Sequence, residues 1–239
     1  MIADTNPFYD ALSDFYREYA QKRRAYHKAV DEFILSNAPE NVNHLLDVGA
    51  GDGVRGTVLA GRLKASQVVF CEPSARMVQA CMSANPTMIW NCKAEEMPES
   101  RLKFDVILCL WNVMGHIGDH HKRVLALRRM RNMLTDTGAI FMDVNNRHNA
   151  KAYGIIKVVS RVLIDLIAFK EQRGDATYCL KVGQKNINGC GHLFAPLEIK
   201  RLMRASDLRI EKRASFDYQQ GDRRRSTLLG QLVYKVVKA

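Results

Sequence analysis

The chain has six cysteines in 239 residues, and no two of them form a C-x-x-C pair. That removes the paired-thiolate motif of zinc ribbons and of thioredoxin-like redox sites. Cys71, Cys81, Cys92, Cys109, Cys179 and Cys190 are read as reduced residues, several of them inside strands or helices. No stretch reaches the ~18 consecutive apolar residues of a membrane span. Residues 1–10 show no basic segment followed by an apolar run, so no secretory signal is read and the cytoplasm is the expected compartment. Internal repeats, low-complexity tracts and linkers rich in Pro, Gly or Ser are also missing, which leaves one domain over residues 1–239.

Acidic residues are the scarcer charge, 25 against 36 basic, for a net +11 that draws anionic partners. The basic groups Lys22-Arg23-Arg24, Arg128-Arg129 with Arg131, and Arg223-Arg224-Arg225 are dispersed. No aromatic residues alternate with them as a base-stacking platform requires. They read as solvated surface, with RNA kept as an alternative partner. His120 and His121 diverge on a helix and have no Cys or Glu arranged beside them, so no metal is expected.

What is present is an alternation. Strands are expected at 45–48, 68–71, 88–90, 104–110 and 139–144, and helices at 54–63, 75–84 and 121–134, with a turn at 135–138. Five β/α repeats of this kind imply a doubly wound, mostly parallel α/β sheet with ligands beyond the carboxyl ends of its strands. Residues 1–40 read as a helical cap carrying an aromatic stripe of Phe8, Leu12, Phe15, Tyr16 and Tyr19. Residues 155–169 have helical apolar spacing, with Lys157, Arg161 and Asp165 on the other side, and are expected to pack as an amphipathic core or lid helix; a membrane-surface helix is the minority alternative. A strand at 176–182, a helix at 196–206 and strands at 208–210 and 228–237 close the chain like a hairpin.

The densest signal is His44-Leu45-Leu46-Asp47-Val48-Gly49-Ala50-Gly51-Asp52-Gly53, an apolar strand that ends in an acid and alternate glycines. Glycine lets a chain leaving a strand turn sharply and bring bare backbone to a ligand, with the amides of the next helix facing it. Gly51, Gly53 and Gly56 also fit the G-x-G-x-x-G spacing of NAD-binding folds. Asp47 separates the two: a carboxylate repels a pyrophosphate but attracts an ammonium or sulfonium. Charge favours S-adenosylmethionine.

With Glu72 at the end of the second strand and Leu110-Trp111-Asn112-Val113-Met114-Gly115-His116-Ile117 after the fourth, the chain resembles the class I S-adenosylmethionine-dependent methyltransferases. The likeness runs over about residues 45–144 and is nearest the small-molecule branch of ubiquinone-biosynthesis and glycine or sarcosine methyltransferases. It implies a Rossmann-like fold of seven strands, a cofactor core at 44–145, a lid or substrate-shaping insertion at 150–195, and a closing helix and strands at 196–239. It also implies cofactor contacts from Asp47, Gly49, Ala50, Gly51 and Gly53 in the glycine loop. Glu72 and Pro73 would meet the ribose. Ala94 and Glu95 follow the third strand, where the family commonly has Asp at the place of Lys93, which cannot accept a hydrogen bond from adenine. Leu110 would receive the methionine ammonium and Trp111 would lie near the adenosine or close the core. Related enzymes cover the cofactor with an N-terminal segment, which nominates Tyr9, Tyr16 and Arg24.

Asn112 and His116 are the polar side chains placed to face an acceptor. His116 can serve as a base if the acceptor carries a proton, or can hold its loop by hydrogen bonds; Tyr16 or His192 are the other candidates. The loop has no Asn- or Asp-Pro-Pro-aromatic motif for exocyclic amines of bases, and the chain has no Pro-Cys nucleophile of pyrimidine C5 enzymes. The expected activity is methyl transfer from S-adenosylmethionine to nitrogen or oxygen of a small molecule, with S-adenosylhomocysteine as product. An RNA methyltransferase, an NAD(P)-dependent oxidoreductase and a cofactor-binding module without catalysis are the alternatives, and a homodimer stays open.

Overall fold

A computed structural model describes residues 4–182 and 185–239. Its centre is a seven-stranded sheet. The strands are β1 His44–Val48, β2 Gln67–Cys71, β3 Met88–Trp90, β4 Phe104–Cys109 and β5 Leu134–Val144, closed by β8 Leu208–Phe216 and β9 Gln231–Lys238. Their spatial order is β3-β2-β1-β4-β5-β9-β8, and β9 runs antiparallel to both neighbours while the other pairs are parallel. Chain order reverses between β1 and β4, which opens a crevice beyond their carboxyl ends.

Both faces of the sheet are covered, so the strands read as apolar runs rather than alternations. Leu46, Val48, Ile107 and Met142 pack against Leu127 and Met130 of α7 (His120–Met133) and Leu202 of α10 (Pro196–Ala205). Leu45, Leu108 and Phe141 face the other way, onto Tyr26, Val30 and Ile34 of α3 (Arg24–Leu35) and Leu59 of α4 (Val54–Leu63). The amino-terminal segment adds α1 (Asn6–Leu12) and α2 (Tyr16–Gln21), which lead into α3 over the carboxyl edge of the sheet.

The doubly wound sheet and its hairpin-like closure match expectation, and three local features differ. The expected turn at 135–138 is strand: Phe104 pairs with Leu134 and Val106 with Ala139, so those four residues form a bulge inside β5. The last strand begins at Gln231, three residues after Leu228. A second, two-stranded sheet joins β6 (Asp175–Val182) to β7 (Lys185–His192). Asn186-Ile187-Asn188-Gly189 has no apolar alternation to announce β7.

The helix α9 (Ile155–Ile167) forms where expected but faces the opposite way. Its charged side lies inward, with Asp165 buried beside His148 and Arg147, and its Ile and Leu side chains are in solvent. Burial of apolar surface would have put the other face inward; here an ion-paired cluster holds the helix instead.

Candidate active site

The crevice beyond β1 and β4 is walled by backbone turns that only particular residues can make. After β1, Gly49, Gly51 and Gly53 all have φ between 60° and 73°, the left-handed region that glycine enters without penalty. A Cβ on Gly51 would lie 2.4 Å from the Tyr16 hydroxyl, so the tyrosine of α2 rests directly on the loop. After β4, Trp111 and Asn112 take the same left-handed conformation without being glycine. Asp143 of β5 holds them there. Its Oδ1 accepts from the Trp111 amide at 2.5 Å, and its Oδ2 accepts from the Tyr26 hydroxyl at 2.7 Å.

Two cavities open on either side of this construction, sharing Tyr16, Gly49, Leu110 and Trp111 as a common wall. The first is bounded by Tyr9, Gly51, Glu72, Pro73, Ala94 and Glu95, together with His116 from α6 (Val113–His116). The second is bounded by Arg24, His27, Asp47, Ala50 and Asp52. Most residues nominated from sequence therefore meet here. Two do not line either cavity: Gly53 packs against Phe70, and Asn112 is buried within its loop. Asn112 Oδ1 accepts from the Asn145 amide at 2.9 Å and its Nδ2 donates to the His192 carbonyl at 3.4 Å, so its side chain ties the loop to neighbouring elements.

Burial sets the electrostatics. Glu72 is held by two amides, with Oε2 accepting from Gly51 and Oε1 from Ser74, at 2.9 and 3.0 Å. Loss of water outweighs these bonds and raises its carboxyl to about 7. Asp47 is likewise raised to about 7 by burial, against the pull of Arg55. His116 moves the other way: burial lowers its imidazole to about 4, its Nδ1 has no hydrogen-bond partner, and Tyr9 meets its ring edge-on at 5.3 Å. His27 is lowered to about 3, also by burial, and stands edge-on to Trp111 at 4.6 Å. Tyr9 and Tyr16 are raised by burial and stay protonated. Trp111 is fixed on a third side by its Nε1 bond to the Tyr218 hydroxyl, 3.0 Å, and by stacking on Tyr19.

The other histidine candidate, His192, is fully buried away from both cavities, with Asp175 at 2.8 Å and Glu198 at 2.9 Å from its two ring nitrogens. Residues that sequence reading missed are Asp143 and Tyr26, which position Trp111, and Thr5, Asn6 and Lys122 on the cavity rim. Asp143 carried a signal: like Asp47, it is a lone acid at the end of an apolar strand. Lys93 lines the first cavity and is paired with Asp4 at 3.1 Å.

A doubly wound sheet with a glycine turn, an acid on the next strand and a cleft at the switch point defines a nucleotide-cofactor enzyme. A family model described as a methyltransferase domain matches residues 16–213, and the chain belongs to that family, the class I S-adenosylmethionine-dependent methyltransferases. A search among curated proteins returns no match. Among solved structures, an S-adenosylmethionine-dependent methyltransferase from Clostridium acetobutylicum is similar with a TM-score of 0.65 at 13% identity, over 94% of this chain and 99% of that one. The amino pentose methyltransferase CalS10 from Micromonospora echinaspora, solved with S-adenosylmethionine, gives 0.62 at 15% identity over 92% and 96%. The sugar N-methyltransferase KedS8 from a Streptoalloteichus species gives 0.62 at 16% over 94% and 92%. At these identities the likeness is one of fold.

Proposed function

We propose that the chain transfers the methyl group of S-adenosylmethionine to a nitrogen or oxygen of a small-molecule acceptor. One observation carries this reading: two cavities of about 160 and 410 Å³ meet at Tyr16 beneath the helical cap, the scale of small-molecule sites. A nucleic-acid acceptor needs an open path to the reacting atom, and α1 and α2 stand over it. The described activities of the sugar and amino pentose methyltransferases, which share the fold, agree with a small polar acceptor.

The residues suit this donor. Glu72 presents oxygens already oriented by two amides, able to accept from ribose hydroxyls. Pro73, Ala94 and Glu95 continue that wall toward an adenine ring. Across Tyr16, Asp47 and Arg24 line one cavity with opposite charges, as an amino-acid zwitterion requires. Gly49, Ala50 and Gly51 provide close backbone, and Leu110 and Trp111 the opposite side. Once bound, the donor supplies a sulfonium methyl open to in-line displacement, for which alignment provides most of the acceleration.

His116 is the base we assign. Its lowered pKa keeps the ring neutral and able to accept a proton throughout the neutral range, with a smaller driving force than an ordinary imidazole has. Tyr9 and Tyr16, held protonated, serve as hydrogen-bond donors. Asn112 acts through the loop it ties. We assign the protein to the cytoplasm, where its six free thiols are expected, as one domain whose cap at 1–40 covers the core at 44–145.

Thermal unfolding with S-adenosylhomocysteine and NAD in parallel tests the cofactor. Homocysteine product at ~100 times its dissociation constant raises stability by about 2.7 kcal/mol, and NAD gives no shift. A shift with NAD alone overturns the reading. Metabolite pools and RNA incubated with labelled donor, followed by mass spectrometry, test the acceptor; label found only in RNA rejects a small-molecule acceptor.

A further inference from the structure

The outward arc of α9 is almost wholly apolar. At 100° per residue, Ile155, Ile156, Val159, Leu163, Ile164, Leu166 and Ile167 fall on it with Ser160 and Lys157, and all seven hydrophobic residues are exposed. Ile156 and Ile167 are 84% and 86% exposed, as open as residues in an unfolded segment. The helix is anchored by its polar side alone. Asp165 is 5% exposed, with His148 Nε2 at 2.9 Å and Arg147 Nη2 at 3.4 Å, and Arg161 Nη1 donates to the Arg147 carbonyl at 2.9 Å. An apolar patch of this size on a folded protein marks a surface that meets something.

A second exposed apolar element adjoins it. Leu228 and Leu229 project from the loop before β9, and the Leu228 carbonyl accepts from the Ala150 amide at 2.7 Å, at the start of the segment that leads into α9. The exposed cations around both elements are Lys157, Lys170, Arg173, Arg223 and Arg225. The acids close by are engaged: Asp165 as above, Glu171 with Arg123, Asp217 with Lys151 and Arg224, and Asp222 with Arg224. The patch therefore has one sign of free charge on its rim.

We propose that α9 and the Leu228–Leu229 loop seat the enzyme on an anionic phospholipid surface. A helix of 13 residues is about 20 Å long, and no helix among the described residues is long and apolar enough to cross a membrane. It suits a position along the interface, with side chains entering the acyl boundary and lysines and arginines at the headgroups. A second copy is the weaker occupant: a twofold through this face would bring two sets of cations together. The inference rests on the surface and is independent of the acceptor reading.

Flotation of the full chain with phosphatidylcholine vesicles, with and without phosphatidylglycerol, tests it. The protein is expected to float with the anionic vesicles and to be released in part by salt. Ile156→Asp and Ile167→Asp should each lower partitioning by about tenfold or more, and Lys157→Glu with Lys170→Glu should lower it about fivefold per residue. These positions are outside the core, so melting temperature and S-adenosylhomocysteine affinity should stay unchanged. Failure to float, or equal flotation of the Ile156→Asp variant, overturns the proposal. So does a dimer in light scattering that Ile156→Asp dissociates, which would give the face to a second copy.

Discussion

The Gly51 amide donates to Glu72 Oε2 across 2.9 Å, so the turn after β1 and the acid after β2 form one unit. Glu72→Gln keeps the shape but gives one oxygen where two amides donate, and it sets an NH2 group against the other N–H. Calorimetry with S-adenosylhomocysteine should show affinity about 10- to 100-fold lower. An unchanged dissociation constant would remove Glu72 from the cofactor site.

Gly51→Ala strains the turn twice. The left-handed φ costs roughly 1–2 kcal/mol for a residue with a Cβ, and that Cβ meets the Tyr16 hydroxyl at 2.4 Å. The variant should melt earlier and bind cofactor poorly. Adding Tyr16→Ala should recover part of the stability and not all, because the backbone strain persists; full recovery would mean that the collision was the whole effect.

Cofactor affinity should rise with pH through neutrality. In the free protein Glu72 and Asp47 titrate at about 7, and both are wanted as carboxylates, Asp47 by a cationic ligand. Binding below that pH must expel protons, so the dissociation constant should fall between pH 6 and 8. Calorimetry in buffers of different ionisation enthalpy counts the protons. No release at pH 6.5 would contradict the assignment.

His116 should link stability to acidity with the opposite sign. Its imidazole titrates at about 4 folded and near 6.5 unfolded, so its stabilising contribution is complete above 6.5 and is lost as pH falls toward 4. Between pH 7.5 and 5.0 the wild-type chain should lose more denaturant resistance than His116→Gln, by at most about 2 kcal/mol. Parallel losses would place the ring in a more solvated setting.

Glu198 faces His192 at 2.9 Å and the buried Arg123 at 3.9 Å, and also accepts from the Ala195 amide. Glu198→Ala leaves charge uncompensated in the interior and should cost about 3–5 kcal/mol in chemical denaturation. A loss below about 1 kcal/mol, the worth of a surface pair, would show that water reaches the cluster.

The sheet was legible because helices cover both its faces, so runs such as Leu45–Val48 and Val106–Leu110 are apolar throughout. Asp47 and Glu72 stood out as acids at strand ends. Periodicity located α9 but not its orientation, since the same seven residues would suit a core or an outward face, and the deciding contacts come from His148 and Arg147 in another segment. β7 was silent because its hairpin does not rest on alternation. Trp111 and Asn112 hid their left-handed backbone, because neither is glycine and their restraint, Asp143, lies 32 residues away.

The position of β9 between β5 and β8 has a consequence for the order of synthesis. Residues 208–216 leave the ribosome first, yet their partner in the sheet is 231–238. Until that later segment emerges, β8 is an unpaired edge and Val233 and Val236 are missing from the core. A nascent chain paused in between would present such an edge to its neighbours, which makes the final stretch of translation the step most in need of a chaperone.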